Sequence, residues 1–253
     1  MLVGGRDLTT IAKAVTERRH YTALRNMIGV YTAPVQMFGR YLSTRGNYPY
    51  TAQVRTPLGI VDFTLYSSDD VRTANEIFCR LDYKADAEDR VVVDFGSNIG
   101  ISASYFLSRG PGIYAYLYEP LPSNVVRLRS NLTRFVDRYT LEQVAVGPKD
   151  GEVQFGWEET GRYGGVDADW ENSITVTCRN SRRLLEDIVA SHGVIDILKV
   201  DIETLEEAVI ADIPPALARK IRKIYVEYRF ADNPLAATHT HRQYGGVAQF
   251  FLR

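Results

Sequence analysis

The stretch Val91-Val92-Val93-Asp94-Phe95-Gly96-Ser97-Asn98-Ile99-Gly100 decides how this chain is read. Its β-branched and aromatic run predicts a buried strand at 91–95, and its two glycines predict a tight turn that opens a helix at 99–108. Glycine at 96 and 100 lets the backbone pass close to a ligand where any Cβ would collide, so the turn suits a nucleotide-type pocket. Working outward, further strands are predicted at 113–118, 140–146, 195–200 and 221–228, alternating with helices at 123–136, 181–191 and 203–213. That alternation specifies an α/β fold of Rossmann-like type, a mostly parallel twisted sheet with helices on both faces and right-handed crossovers.

The flanks are organised around this core. Segments 152–155 and 174–178 enclose a glycine-rich run, which reads as a hairpin inserted at about 152–178. Its tip, Gly161-Arg162-Tyr163-Gly164-Gly165, has the composition of a lid. A last strand is expected at 247–252. Upstream, Leu8, Ile11, Ala12 and Val15, then Leu24, Met27, Ile28 and Tyr31, recur near helical spacing, so 1–53 is read as a helical extension that acts as a lid or packs on a twin subunit in a homodimer. The core domain is taken to run over 54–253, beginning with a hairpin at 54–65 around Pro57-Leu58-Gly59. Asp69-Asp70 supplies the expected cap of a helix whose apolar face is Val71, Ala74, Ile77, Phe78 and Leu81.

Composition narrows the partners. Of 253 residues 45% are hydrophobic and 24% charged, which is the balance of a globular chain with a sizeable core. Thirty basic residues against 31 acidic ones leave a formal charge of −1, so no global field draws the molecule to nucleic acid or to an anionic membrane, and neither is expected as a partner. Cys79 and Cys178 belong to no metal-binding or disulfide pattern. No metal site is expected. Lys13, Glu17, Arg18 and Arg19 interrupt the N-terminal apolar residues, and no long apolar run follows, so a cytoplasmic protein is expected.

Glu119 lies nineteen residues beyond Gly100, at the end of the second strand, where a carboxylate can accept both hydroxyl protons of a ribose. The dinucleotide fingerprint requires glycine where Asn98 stands. Asp94 ahead of the first glycine would repel a diphosphate but suits the ammonium of an amino-acid tail, as in S-adenosylmethionine. A second cluster, Leu198-Lys199-Val200-Asp201-Ile202-Glu203 with Glu206, puts carboxylates at the carboxyl edge of the sheet. There they can serve as an acid/base pair, a metal site, or favourable charges at a helix start. Lys199 is expected to pair with Glu227. His239 and His241, placed in a loop after the fifth strand, join Asp201 and Glu203 as candidate general bases. Tyr48, Tyr50, Trp157, Tyr163, Trp170 and Tyr244 fall outside the core strands and are of the kind that stacks on sugars.

Taken in order, these motifs resemble the FkbM family of S-adenosylmethionine-dependent methyltransferases. The resemblance rests on 92–100, on Tyr118-Glu119-Pro120 with Asn124 and Asn131, on Val144-Ala145-Val146-Gly147, on 198–203 with Glu206, and on Glu227. It implies a class I methyltransferase fold with one antiparallel strand, S-adenosylmethionine as cofactor, and O-methylation of a small-molecule acceptor, a sugar or natural-product hydroxyl. Carried over, Asp94, Gly96, Asn98 and Gly100 hold the methionine end, Glu119 the ribose, and Val144 with Ala145 the adenine. Ser97, Pro120, Asn124 and Asp201 complete the cofactor set, and Asp201 and Glu203 border the acceptor. Thr204 departs from the family's usual glycine. Only 25 residues follow Tyr228, which is short for a helix and two strands, so an abbreviated or differently built closing hairpin is expected. Two rival readings share the glycine turn: a nicotinamide-dependent oxidoreductase, and a non-catalytic module that keeps the fold.

Overall fold

A computed structural model describes residues 2–3, 6–7, 18–43, 46–158 and 164–253. The chain divides into two compact units, Met1–Lys84 and Ala85–Arg253. The boundary falls about thirty residues later than the one at 53 and 54 drawn from the sequence, so the hairpin at 50–65 belongs to the first unit.

In that first unit, β1 (Leu2–Val3) pairs antiparallel with β2 (Arg6–Asp7). Helices α1 (Arg18–Val30) and α2 (Pro34–Ser43) follow, then the antiparallel strands β3 (Tyr50–Thr56) and β4 (Gly59–Leu65) and helix α3 (Ser68–Phe78). Of the apolar face expected on α1, Met27 and the following Tyr31 are buried, whereas Leu24 and Ile28 are exposed. The run from Leu8 to Val15 lies outside the described residues. β3 and β4 alternate as a half-buried ribbon should, with Ala52, Val54, Val61, Phe63 and Leu65 turned inward. The cap of α3 is Ser67 rather than the Asp69-Asp70 pair. Ser67 Oγ accepts from Asp70 N, while Asp70 Oδ2 accepts from Ser67 N at 2.9 Å, a reciprocal capping box.

The second unit begins its sheet with β5 (Val91–Phe95), buried at every position, and continues through α4 (Ile101–Leu107), β6 (Tyr114–Tyr118), α5 (Pro122–Asn131), a 3₁₀ turn at Thr133–Arg138 and β7 (Tyr139–Glu142). Next come β8 (Ala145–Gly147), β9 (Gly151–Trp157), β10 (Gly164–Val166), β11 (Asn172–Asn180), α6 (Ser181–His192) and β12 (Ile195–Val200). The chain closes with α7 (Glu206–Ala211), α8 (Pro215–Ala218), β13 (Ile221–Val226), β14 (His239–Tyr244) and β15 (Val247–Leu252). Seven strands form the central sheet in the order β14-β15-β13-β12-β5-β6-β7, with β15 alone running against the others. This is the mostly parallel α/β sheet with one antiparallel strand expected from the sequence.

Four local differences have physical reasons. The strand expected at 140–146 breaks in two: β7 ends the central sheet, and β8 pairs parallel with β11 in a second sheet of order β10-β9-β11-β8. The inserted hairpin is longer than its apolar core, because β9 and β11 stay in register from Trp157 opposite Asn172 down to Gly151 opposite Cys178. Its tip at 161–163 lies outside the described residues. The helix expected from 203 starts only at Glu206, since Glu203 and Thr204 both adopt left-handed backbone (φ 52° and 70°). Finally, the 25 closing residues hold two six-residue strands by replacing a helix with a turn at 234–238.

Candidate cofactor site

Parallel strands deliver their loops to one edge, so β5, β6 and β12 bring residues 96–100, 119–124 and 201–206 together there. The turn after β5 is forced on glycine twice. Gly96 has φ 80°, and a Cβ built on it would stand 1.8 Å from the Asp201 carbonyl oxygen, inside any tolerable contact. Gly96 N and Ser97 N both donate to Tyr118 O, at 3.1 and 3.0 Å, which ties the turn to the end of β6. Asn98 takes φ 47°, a conformation asparagine tolerates better than most residues.

Glu119 organises the other wall. One of its oxygens accepts from Asn98 N at 2.9 Å, and the other accepts from Leu121 N at 3.0 Å and Asn124 Nδ2 at 3.2 Å. Burial nevertheless dominates: it pushes the carboxyl from 4.5 up to about 7, against the opposing pull of those three donors. The result is a carboxylate held rigidly at the wall of the cleft.

The cleft encloses about 560 Å³, open solvent at its mouth included. Gly96, Asn98, Glu119, Pro120, Asn124, Val144, Ala145 and Asp201, all among the candidate cofactor residues, line it, together with Glu203. The structure adds Tyr118, Leu121, Val146 and Ile202, and, from the inserted hairpin, Phe155, Gly164 and Val166. The glycine-rich composition of that hairpin was the only signal for the last three. The described lining residues include three carboxylates, Glu119, Asp201 and Glu203, and no lysine, arginine or histidine.

Five expected site residues stand elsewhere. Asp94 is fully buried behind the cleft, where its carboxylate accepts from Ser102 Oγ at 2.6 Å and from Lys199 Nζ at 3.0 Å. A side chain so enclosed does not reach a ligand's ammonium. Ser97 is also buried, with its hydroxyl donating to Asp94 O and accepting from Tyr118 N. Gly100 caps α4 at φ 84° and packs near Leu128. His239 opens β14, the edge strand of the central sheet, and is wholly buried, with Nε2 2.9 Å from Ile221 O and Nδ1 2.8 Å from Thr238 Oγ1. Ile221 is the first residue of β13, so this histidine sits at the amino edge, opposite the cleft. Burial lowers its pKa below the ordinary 6.5. His241 stacks on Phe250 at 4.8 Å between ring centres and does not line the cleft. Both histidines stand in a strand rather than the expected loop, because their segment pairs antiparallel with β15 along the sheet edge.

Lys199 does not pair with Glu227, which is exposed beyond β13. Its ammonium instead meets Asp94 Oδ1 at 3.0 Å, the Gly96 carbonyl at 2.9 Å and Asp201 Oδ2 at 3.2 Å. Burial alone would depress this lysine, but the Asp201 and Asp94 carboxylates overcome it and raise the pKa. Lys199 therefore joins the glycine turn to Asp201 from beneath the cleft. Beside it, Glu206 reaches back to accept from Ile202 N at 2.9 Å, fixing the bend that carries Asp201 and Glu203.

The FkbM methyltransferase domain family matches residues 94–250. Among characterised relatives, the chain is 29% identical over 162 residues to the 2-O-methyltransferase NoeI of Sinorhizobium fredii, covering 55% of this chain and 63% of NoeI. It is 25% identical over 175 residues to the 31-O-demethyl-FK506 methyltransferase FkbM of Streptomyces tacrolimicus, covering 57% and 67%. The chain thus spans about two thirds or less of the length of the curated relatives it matches. Among solved structures, a methyltransferase from Geobacter sulfurreducens aligns with a TM-score of 0.37 and 13% identity, over 66% of this chain and 72% of that one.

Proposed function

The chain belongs to the FkbM methyltransferase family, and from that premise we propose that it is an S-adenosylmethionine-dependent O-methyltransferase acting on a hydroxyl of a small metabolite, a sugar or natural product. The single observation that carries the reading is the charge of the cleft: three carboxylates and, among the described lining residues, no cation. A dinucleotide would set its diphosphate against Asp201 and Glu203, and Lys199 beneath the cleft, already paired with Asp94 and Asp201, is not among the described lining residues. A sulfonium nucleoside with an ammonium tail meets complementary charge. The relatives that methylate oxygen support the hydroxyl acceptor, and Thr204, despite its side chain, keeps a backbone conformation open to glycine, so its substitution does not argue for a module without activity.

The bound cofactor supplies an electrophilic methyl group for in-line displacement. Glu119 would accept the ribose hydroxyls, with its carboxylate held in place by Asn98 N, Leu121 N and Asn124. Val144 and Ala145 offer an apolar wall for the adenine. Asp201 and Glu203 would face the acceptor, and since no histidine is among the described lining residues they are the candidates for taking its hydroxyl proton. Lys199 keeps the turn and Asp201 at a fixed separation, and orientation of this kind supplies much of the rate in a displacement reaction.

Isothermal titration with S-adenosylmethionine and S-adenosylhomocysteine tests the cofactor, with affinity in the micromolar range or tighter expected. Folded protein that binds neither would overturn the proposal. Binding of both without a product 14 daltons heavier from any hydroxyl acceptor would overturn the O-methyl assignment alone.

A further inference from the structure

The bend between β12 and α7 holds two successive non-glycine residues in the left-handed region, Glu203 at φ 52° and Thr204 at φ 70°. Such backbone is strained, most of all for a β-branched side chain, and persists only where surrounding contacts enforce it. One such contact comes from Thr204 itself: its hydroxyl donates to the Val166 carbonyl at 3.1 Å. Val166 ends β10, a three-residue strand at the edge of its sheet. The approach around this bond is close, since a Cβ on Gly165 would stand 3.0 Å from Thr204 Cγ2 and 3.3 Å from Glu203 Cβ. Gly164 and Val166 line the cleft together with Glu203.

We propose that Thr204 is a positioning residue whose hydroxyl fastens β10 over the cofactor cleft, so that the bond to Val166 must part before the cofactor leaves. The strained backbone at 204 is tolerated for the hydroxyl it presents. A glycine there would relax the chain and leave β10 unfastened. The inference rests on the cofactor reading above.

Three variants test it, each followed by amide hydrogen exchange over 164–168 in the free protein, by melting temperature, and by the dissociation rate of S-adenosylhomocysteine. Thr204→Gly is expected to melt no lower than the parent because strain is relieved, while exchange and cofactor release both quicken about fivefold, the loss of one hydrogen bond. Thr204→Val keeps the branched side chain without the hydroxyl and should quicken both as much. Thr204→Ser should restore parental values. A purely structural residue would lower the melting temperature as release quickens, so faster release without a lower melting temperature in the glycine variant is the signature. Unchanged exchange in the Gly and Val variants, or faster exchange with unchanged release, overturns the inference. Unmodified protein that binds no S-adenosylhomocysteine overturns the cofactor reading and this inference with it, whereas binding with indifferent variants overturns this inference alone.

Discussion

Cofactor affinity should rise with pH through neutrality, and Glu119 should be the cause. In the free protein burial places its pKa at about 7, so near pH 6 about one tenth of molecules carry the carboxylate and near pH 8 about nine tenths do. If only the ionised form accepts the ribose hydroxyls, the apparent dissociation constant is the intrinsic one divided by that fraction, and affinity rises about tenfold across the interval. The free protein should show the opposite trend. A carboxyl whose folded pKa is raised stabilises the fold fully below its unfolded value of 4.5, and that stability is lost as pH rises through about 7. The shift corresponds to about 3 kcal/mol at alkaline pH. Titration calorimetry with S-adenosylhomocysteine at several pH values reads the first effect, and urea unfolding without cofactor reads the second. Glu119→Gln is the reference for both: it should bind more weakly at pH 8 by about 1–3 kcal/mol and lose this part of the pH dependence. Titration of the ligand's own amino group cancels in the difference. Parallel pH profiles for the parent and Glu119→Gln would refute the assignment of the ribose to this carboxylate.

Three further outcomes follow from the geometry. Lys199→Met strands the fully buried Asp94 carboxylate without its ammonium, and urea unfolding near pH 7 should show a loss of about 3–5 kcal/mol; a loss below about 1 kcal/mol would mean the trio is not coupled. Gly96→Ala drives a methyl group onto the Asp201 carbonyl and should abolish cofactor binding. Gly193→Ala has a similar φ of 79° but nothing within 4 Å of the new atom, and should cost only about 1 kcal/mol by thermal melting, so equal damage in both would sink the argument from close approach. His239→Gln should lower stability by about 1–3 kcal/mol while leaving turnover within about twofold, because its ring bonds Ile221 and Thr238 away from the cleft; a stable variant without activity would reinstate it as the base.

The hydrophobic periods at 91–95, 195–200 and 221–226 and the glycine turn at 96–100 were legible because each is a local property. A buried parallel strand must be apolar on both faces, and a left-handed residue wedged against another backbone must lack a Cβ. The same logic found Glu119, whose place follows from the length of one β-α-β unit. It failed where a residue's partner lies far away along the chain. The carboxylate of Asp94 has the chemistry to hold an ammonium, and it does hold one, but that of Lys199, 105 residues on, rather than a ligand's. The two histidines have the right chemistry for a base, yet pairing with β15 turns their segment into a strand and carries His239 to the opposite edge.

What the sequence alone determined, then, is the strand order's raw material and the wall of the cleft built from contiguous motifs, since backbone conformation and solvent preference are written into neighbouring residues. Tertiary structure alone decided that Asp94 is buried against Lys199 while Asp201, held by the same ammonium, also faces the cleft, and how the second sheet lays Phe155, Gly164 and Val166 against it. Those outcomes depend on distances between segments separated by dozens of residues, and such distances exist only once the sheet has closed.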